Sequence, residues 1–99
     1  MAGKRIKVVT RIVAQPEGAE ELQSVLRDLI EPTRAEPGCL HYELLQNVSD
    51  PTDFTFVQEW ESKEAFEAHL NTDHTQQVAR KLTQLLKVMP DIRRYTPIE

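Results

Sequence analysis

A disulfide-stabilised fold is excluded at once, because the sequence holds a single cysteine, Cys39. A lone thiol is also what a reducing compartment leads one to expect. Glycine is scarce: its three copies, Gly3, Gly18 and Gly38, are too scattered to cradle a phosphate in a glycine-rich loop. A basic excess is lacking as well. Sixteen acidic against twelve basic residues leave a formal charge of −4, and the basic ones form no patch, which argues against a nucleic-acid partner. No apolar run reaches signal or membrane length, since Lys7 and Arg11 interrupt the one that follows Lys4 and Arg5. The expectation is a cytoplasmic protein that meets no membrane. There is no nucleophile elbow and no pair of histidines at i, i+4.

What is present concentrates between Phe54 and His74. Phe54, Phe56, Gln58 and Trp60 alternate with Thr55, Val57 and Glu59, the period of a strand. Ser62 is a good N-cap for a short helix over 63–71, and Thr72 or Asp73 for a further helix reaching about Lys87. Val78, Leu82, Leu85 and Leu86 form the apolar stripe of that last helix. Upstream, 4–14 reads as a strand with apolar residues on both faces. Pro16 and three glutamates then open a helix with Leu22, Leu26, Leu29 and Ile30 on one side, kinked or ended at Pro32 and terminated by Pro37-Gly38. Residues 39–48 alternate as a second strand, the turn formers of 49–53 close a hairpin with 54–61, and 92–95 is a last strand after Pro90.

The order strand, helix, strand, strand, helix, helix, strand predicts an α+β, ferredoxin-like domain over residues 1–99. A sheet with all helices on one face leaves the other face to pair with a second copy. The groups able to carry chemistry are few. His69 borders the buried stripe of the short helix and His74 opens the next one, with Trp60 just before them. Each alone is more simply a satisfied histidine or a core tryptophan, but the three flank one helix. Tyr42 and Glu59 sit on adjacent strands and are expected to meet across them. Arg11 and Arg93 lie in strand interiors, suited to acidic partners or an anion. A metal site would need a convergent set from Cys39, His41, Glu59, His69 and His74. Only Cys39 and His41 share a predicted strand face, so no metal is expected.

With these residues placed, the chain resembles the antibiotic biosynthesis monooxygenase family over nearly its whole length. The resemblance rests on Glu36-Pro37-Gly38-Cys39-Leu40, Tyr42-Glu43-Leu44, Phe56, Glu59-Trp60-Glu61-Ser62, Glu64-Ala65, and His69 with Thr72 and His74. It implies a homodimeric α+β barrel. Some members oxidise quinols or polycyclic phenols without metal or flavin, others act on signalling sugars, and others cleave haem. Haem-cleaving members use an asparagine on the first strand and a tryptophan in the short helix, where this chain has Val9-Thr10 and His69.

The leading expectation is a cofactor-independent monooxygenase acting on a small electron-rich aromatic and dioxygen. His69 is the first candidate base, His74 the second, and Trp60 an aromatic wall or donor. Arg11, His41, Tyr42 and Glu59 are candidate substrate-binding groups. An isomerase or tautomerase acting on a small signalling or keto compound needs the same acid and base but no oxygen. A non-catalytic dimer that binds an aromatic ligand is the third reading.

Overall fold

A computed structural model describes residues 4–98. Four strands, β1 (Ile6–Val13), β2 (Cys39–Gln46), β3 (Asp53–Trp60) and β4 (Asp91–Tyr95), form one antiparallel sheet in the order β2-β3-β1-β4. Four helices, α1 (Ala19–Arg27), α2 (Ile30–Arg34), α3 (Lys63–Leu70) and α4 (Asp73–Leu82), complete the ferredoxin-like arrangement expected from the sequence. Alternation decides which face of the sheet the helices cover. Val8, Thr10 and Ile12 are buried, while of the residues alternating with them Lys7 and Arg11 are exposed and Val9 is half-buried. On β3 the inner residues Phe54, Phe56, Gln58 and Trp60 are all buried. These pack with Leu22, Val25, Leu26, Leu29 and Val78 from the helices, and Trp60 forms a smaller cluster with Val8 and Phe66.

The first helical region breaks earlier than Pro32. Proline has no N–H and its ring crowds the carbonyl four residues back, so the chain ends α1 at Arg27. It restarts at Ile30, which puts Pro32 in the first turn of α2, where no N–H is needed. The last helix also stops short, at Leu82 instead of about Lys87. The backbone of the following residues turns to the end of β1 instead: Gln15 N–H donates to Leu85 O and Lys87 N–H to Val13 O, at 2.8 and 2.9 Å. Leu85 and Leu86 still pack on the core, so the stripe is kept although the helix is not.

Two local features place the site. Gly38 has φ +84°, and a Cβ there would lie 2.7 Å from that of Ala65, so only glycine lets the chain turn this close to α3. A β-bulge follows, with Cys39 opposite Trp60 and His41 opposite Glu59, leaving Leu40 as the extra residue. On the outer face, the Arg11 guanidinium bonds both Asp53 oxygens, at 2.9 and 3.3 Å, and Asn47 donates to the same carboxylate. The hydrogen bond from Arg11, then that from Asn47, hold the Asp53 carboxyl below the usual carboxylate range. A depressed pKa adds stability above the unfolded value of about 4 and loses it as pH falls through the folded value. The stability difference between wild type and Asp53→Asn should therefore narrow on acidification from pH about 6 to about 3, as read by urea unfolding. A constant gap would remove the ion pair from the account.

Candidate functional site

The turn between α3 and α4 brings the two histidines together. Thr72 caps α4, accepting from Thr75 N–H, and its hydroxyl donates to His69 O at 2.8 Å. The rings of His69 and His74 then stand 6.2 Å apart between centroids. The Gly38 turn brings Glu36 between them. One carboxylate oxygen, Glu36 Oε2, lies 2.8 Å from His69 Nδ1 and 2.6 Å from His74 Nε2. A carboxylate can only accept, so both nitrogens carry the hydrogens of these bonds. The cluster is largely desolvated, with side-chain exposures of 5% for His69, 10% for Glu36 and 27% for His74.

Burial pushes the His69 pKa below its ordinary value, assisted by the nearby His74 and opposed by the bond and charge of Glu36. The neutral ring holds its proton on Nδ1, which leaves Nε2 as a lone-pair acceptor. No described residue bonds Nε2. The sole buried and unpartnered side-chain polar atom among the described residues is Thr33 Oγ1. His69 Nε2 is therefore not sealed in packing but keeps some accessible surface, and the His69 side chain borders an adjoining space.

That space is a cavity of about 200 Å³ between the inner sheet face and the helices. Its walls are apolar, from Ile12, Leu26, Leu29, Phe56, Val78 and Leu82, and it contains no lysine, arginine or carboxylate. His69, Tyr42, Gln58, Thr10 and Thr75 supply the polar groups. Burial raises the Tyr42 pKa, so that side chain stays a neutral phenol. Trp60 is not part of the wall. It is wholly buried behind His69, with ring centroids 4.9 Å apart, and donates Nε1–H to Gln58 Oε1 at 2.9 Å. An indole nitrogen can only donate, so this bond sets which way the Gln58 amide faces. Gln58 Nε2 accordingly points to Thr10 Oγ1, at 3.5 Å, which leaves the Thr10 hydroxyl proton free for the cavity.

Of the residues singled out from the sequence, the fold gathers His69, His74, Trp60 and Tyr42, but only His69 and Tyr42 line the cavity. The expected meeting of Tyr42 with Glu59 does not occur. The β2–β3 register puts Tyr42 opposite Gln58 on the inner face and Glu59 opposite His41 on the outer one. Glu59 bonds Arg5 at 3.1 Å, and His41 bonds Glu43 at 3.3 Å. Arg11 and Arg93 are likewise outside, tied to Asp53 and Asp91. Within one chain, Arg11, His41 and Glu59 are thus kept from the cavity by strand parity. A bulge between Cys39 and His41 sets these two on opposite faces of the sheet, so the strand face they were expected to share is lost. Sequence reasoning passed over Glu36, Gln58 and Thr10. Glu36 lies 33 and 38 residues from its histidines, and its one local mark was the Pro37-Gly38 turn beside it.

A family model described as antibiotic biosynthesis monooxygenase matches residues 5–81. The Bacillus subtilis protein named "Putative monooxygenase YcnE" is 31% identical over 83 residues, covering 84% of this chain and 87% of that protein. The Synechocystis protein sll1783 is 29% identical over 90 residues, 91% of this chain but 61% of its own length. The chain therefore spans under two thirds of that relative. Among solved structures, PA3566 from Pseudomonas aeruginosa superposes with a TM-score of 0.93 at 32% identity, covering 100% of this chain and 99% of the other.

Proposed function

This chain belongs to the antibiotic biosynthesis monooxygenase family, and from that premise we propose that it oxygenates a hydroquinone or similar electron-rich phenol with dioxygen, needing no cofactor. The observation that carries the reading is a buried His69 on the lining of a largely apolar cavity, its Nδ1 engaged by Glu36 and its Nε2 without a hydrogen-bond partner among the described residues. Deprotonating a phenol yields an anion rich enough in electrons to reduce dioxygen, so the protein's task is to take the proton and exclude water. His69 Nε2 is the base. Glu36 holds the ring in the required tautomer, and the imidazolium formed on proton transfer gains from its carboxylate. The Thr10 hydroxyl is placed to donate to the developing oxyanion.

The balance closes without a reductant. A hydroquinone plus dioxygen gives a hydroxyquinone plus water, one oxygen atom entering the ring, and all four electrons come from the substrate. The size of the cavity favours a small aromatic, since an apolar cavity of about 150 Å³ already takes benzene. Its lack of any cation disfavours a phosphorylated substrate, and with it the sugar-directed isomerase reading. The reading includes a homodimer, because the helix-free sheet face carries Val9 and Val57, with Leu45 and Tyr95 about half exposed on it.

The test is metal-stripped protein incubated with substituted hydroquinones. Oxygen uptake above the uncatalysed rate, one labelled oxygen atom in the product and no net peroxide are expected, at a mass by light scattering of two chains. Stoichiometric peroxide would reduce the activity to simple oxidation, and no uptake would remove it.

A further inference from the structure

We propose that Glu36, His69 and His74 form a binding site for one divalent transition-metal ion of the zinc or ferrous type, and that its occupation takes His69 out of use as a base. The three prospective ligand atoms, Glu36 Oε2, His69 Nδ1 and His74 Nε2, all lie within 4.8 Å of one another. Two imidazoles and one carboxylate with positions left open are a donor set that suits zinc and ferrous iron.

The geometry is close to what an ion requires. Metal–ligand bonds of about 2.0–2.1 Å in a tetrahedral arrangement set neighbouring ligand atoms about 3.3 Å apart. The carboxylate now stands 2.8 and 2.6 Å from the two nitrogens, so these gaps need to widen by about half an ångström, or slightly more for His74, while the two nitrogens, within 4.8 Å of each other, need to settle at about the same 3.3 Å spacing. Turning the Glu36 side chain and the two imidazoles about their side-chain bonds is the adjustment an ion would require. The His69 ring is already steadied by Trp60, and Thr75 Oγ1 lies 3.4 Å from Nδ1. An ion can enter past His74, the most exposed of the three.

The charge balance points the same way. Glu36 is a largely buried carboxylate whose ion-pair partners among the described residues are the two histidines, with no lysine or arginine. Only imidazole hydrogens satisfy it, and a metal ion can replace those hydrogens while keeping all three ligands. Nothing is oxidised or reduced in the exchange. A metal on Nδ1 moves the remaining proton of His69 to Nε2, since a neutral imidazole carries one hydrogen. The nitrogen facing the cavity then donates where it previously accepted. The site itself rests on geometry alone, whereas the silencing rests on the proposed role of His69.

Titrating Co2+ into the metal-stripped chain tests both parts. Visible ligand-field bands of low-coordinate cobalt should appear, saturate at one ion per chain and vanish on adding Zn2+. His74→Ala and Glu36→Gln should each weaken binding by about a hundredfold or more, beyond the loss usual for groups that only support a ligand. His41→Ala, which removes the surface His41–Glu43 pair on the opposite face, should leave the bands intact. The site is overturned if no bands form, if they survive loss of His74 or Glu36, or if they depend on His41. Should His74→Ala fail to fold by circular dichroism, His74→Gln replaces it with the same expected loss. Zinc-loaded protein should lose at least nine tenths of its quinol-dependent oxygen uptake and regain it with a chelator, and full turnover by the loaded protein overturns the silencing. Absence of turnover in metal-free protein would reject the base reading, while the cobalt bands would still decide the site.

Discussion

Replacing His69 with alanine should lower kcat by about 10²- to 10⁴-fold, the usual contribution of a positioned general base. KM should change little, because the apolar walls of the cavity, not the imidazole, supply most of the contact with an aromatic ring. The expectation separates a base from a structural histidine in two ways. The deletion leaves a ring-sized space beside the cavity, so added imidazole should restore part of the rate in the variant and none in wild type. His74→Ala should cost far less, because His74 reaches the cavity only through Glu36. Steady-state oxygen uptake on each folded variant checks this. If His69→Ala keeps more than about a tenth of wild-type kcat, far above what loss of a general base leaves, the ring is not the base.

Replacing Trp60 with alanine should destabilise the fold by about 3–5 kcal/mol, the range for truncating a buried aromatic. That is a large share of the roughly 5–15 kcal/mol that holds a domain of this kind together. Trp60 has no exposed surface, packs on Val8 and Phe66, and supports the ring of His69 from behind. Trp60→Phe keeps much of the buried surface but leaves Gln58 Oε1 without its donor. An unpaired buried acceptor costs about 1–3 kcal/mol. Urea unfolding measures both losses. The same pair of variants tests whether the tryptophan touches substrate. A residue behind the wall predicts that folded Trp60→Phe binds substrate with near wild-type KM. A tenfold or larger rise in KM would return Trp60 to the wall of the cavity.

The strands were legible because alternation is a local property: Phe54-Phe56-Gln58-Trp60 marks one face in any register, whereas 4–14, apolar on both faces, reads as a strand without showing which face is buried. The caps were legible for the same reason, since Ser62 and Thr72 act on N–H groups three residues ahead. His69 and His74 could be singled out because one turn of chain separates them. These local patterns are what the sequence by itself determined, and they were enough for the ferredoxin-like fold and for one wall of the cavity.

Only the tertiary structure decided the rest, because it depends on groups far apart in the chain. The helix their apolar spacing suggests is not continued through residues 85–87, where Leu85 O and Lys87 N–H bond the end of β1 instead. One bulged residue, Leu40, sets Cys39 on the opposite face from His41 and so undoes that pairing, while the hairpin register places Tyr42 opposite Gln58 and not Glu59. Glu36 joins the histidines only because Gly38, with no Cβ, allows the chain to close against α3. The Glu36–His69–His74 cluster, on which the proposed base and the proposed metal site both rest, depends on that one close approach.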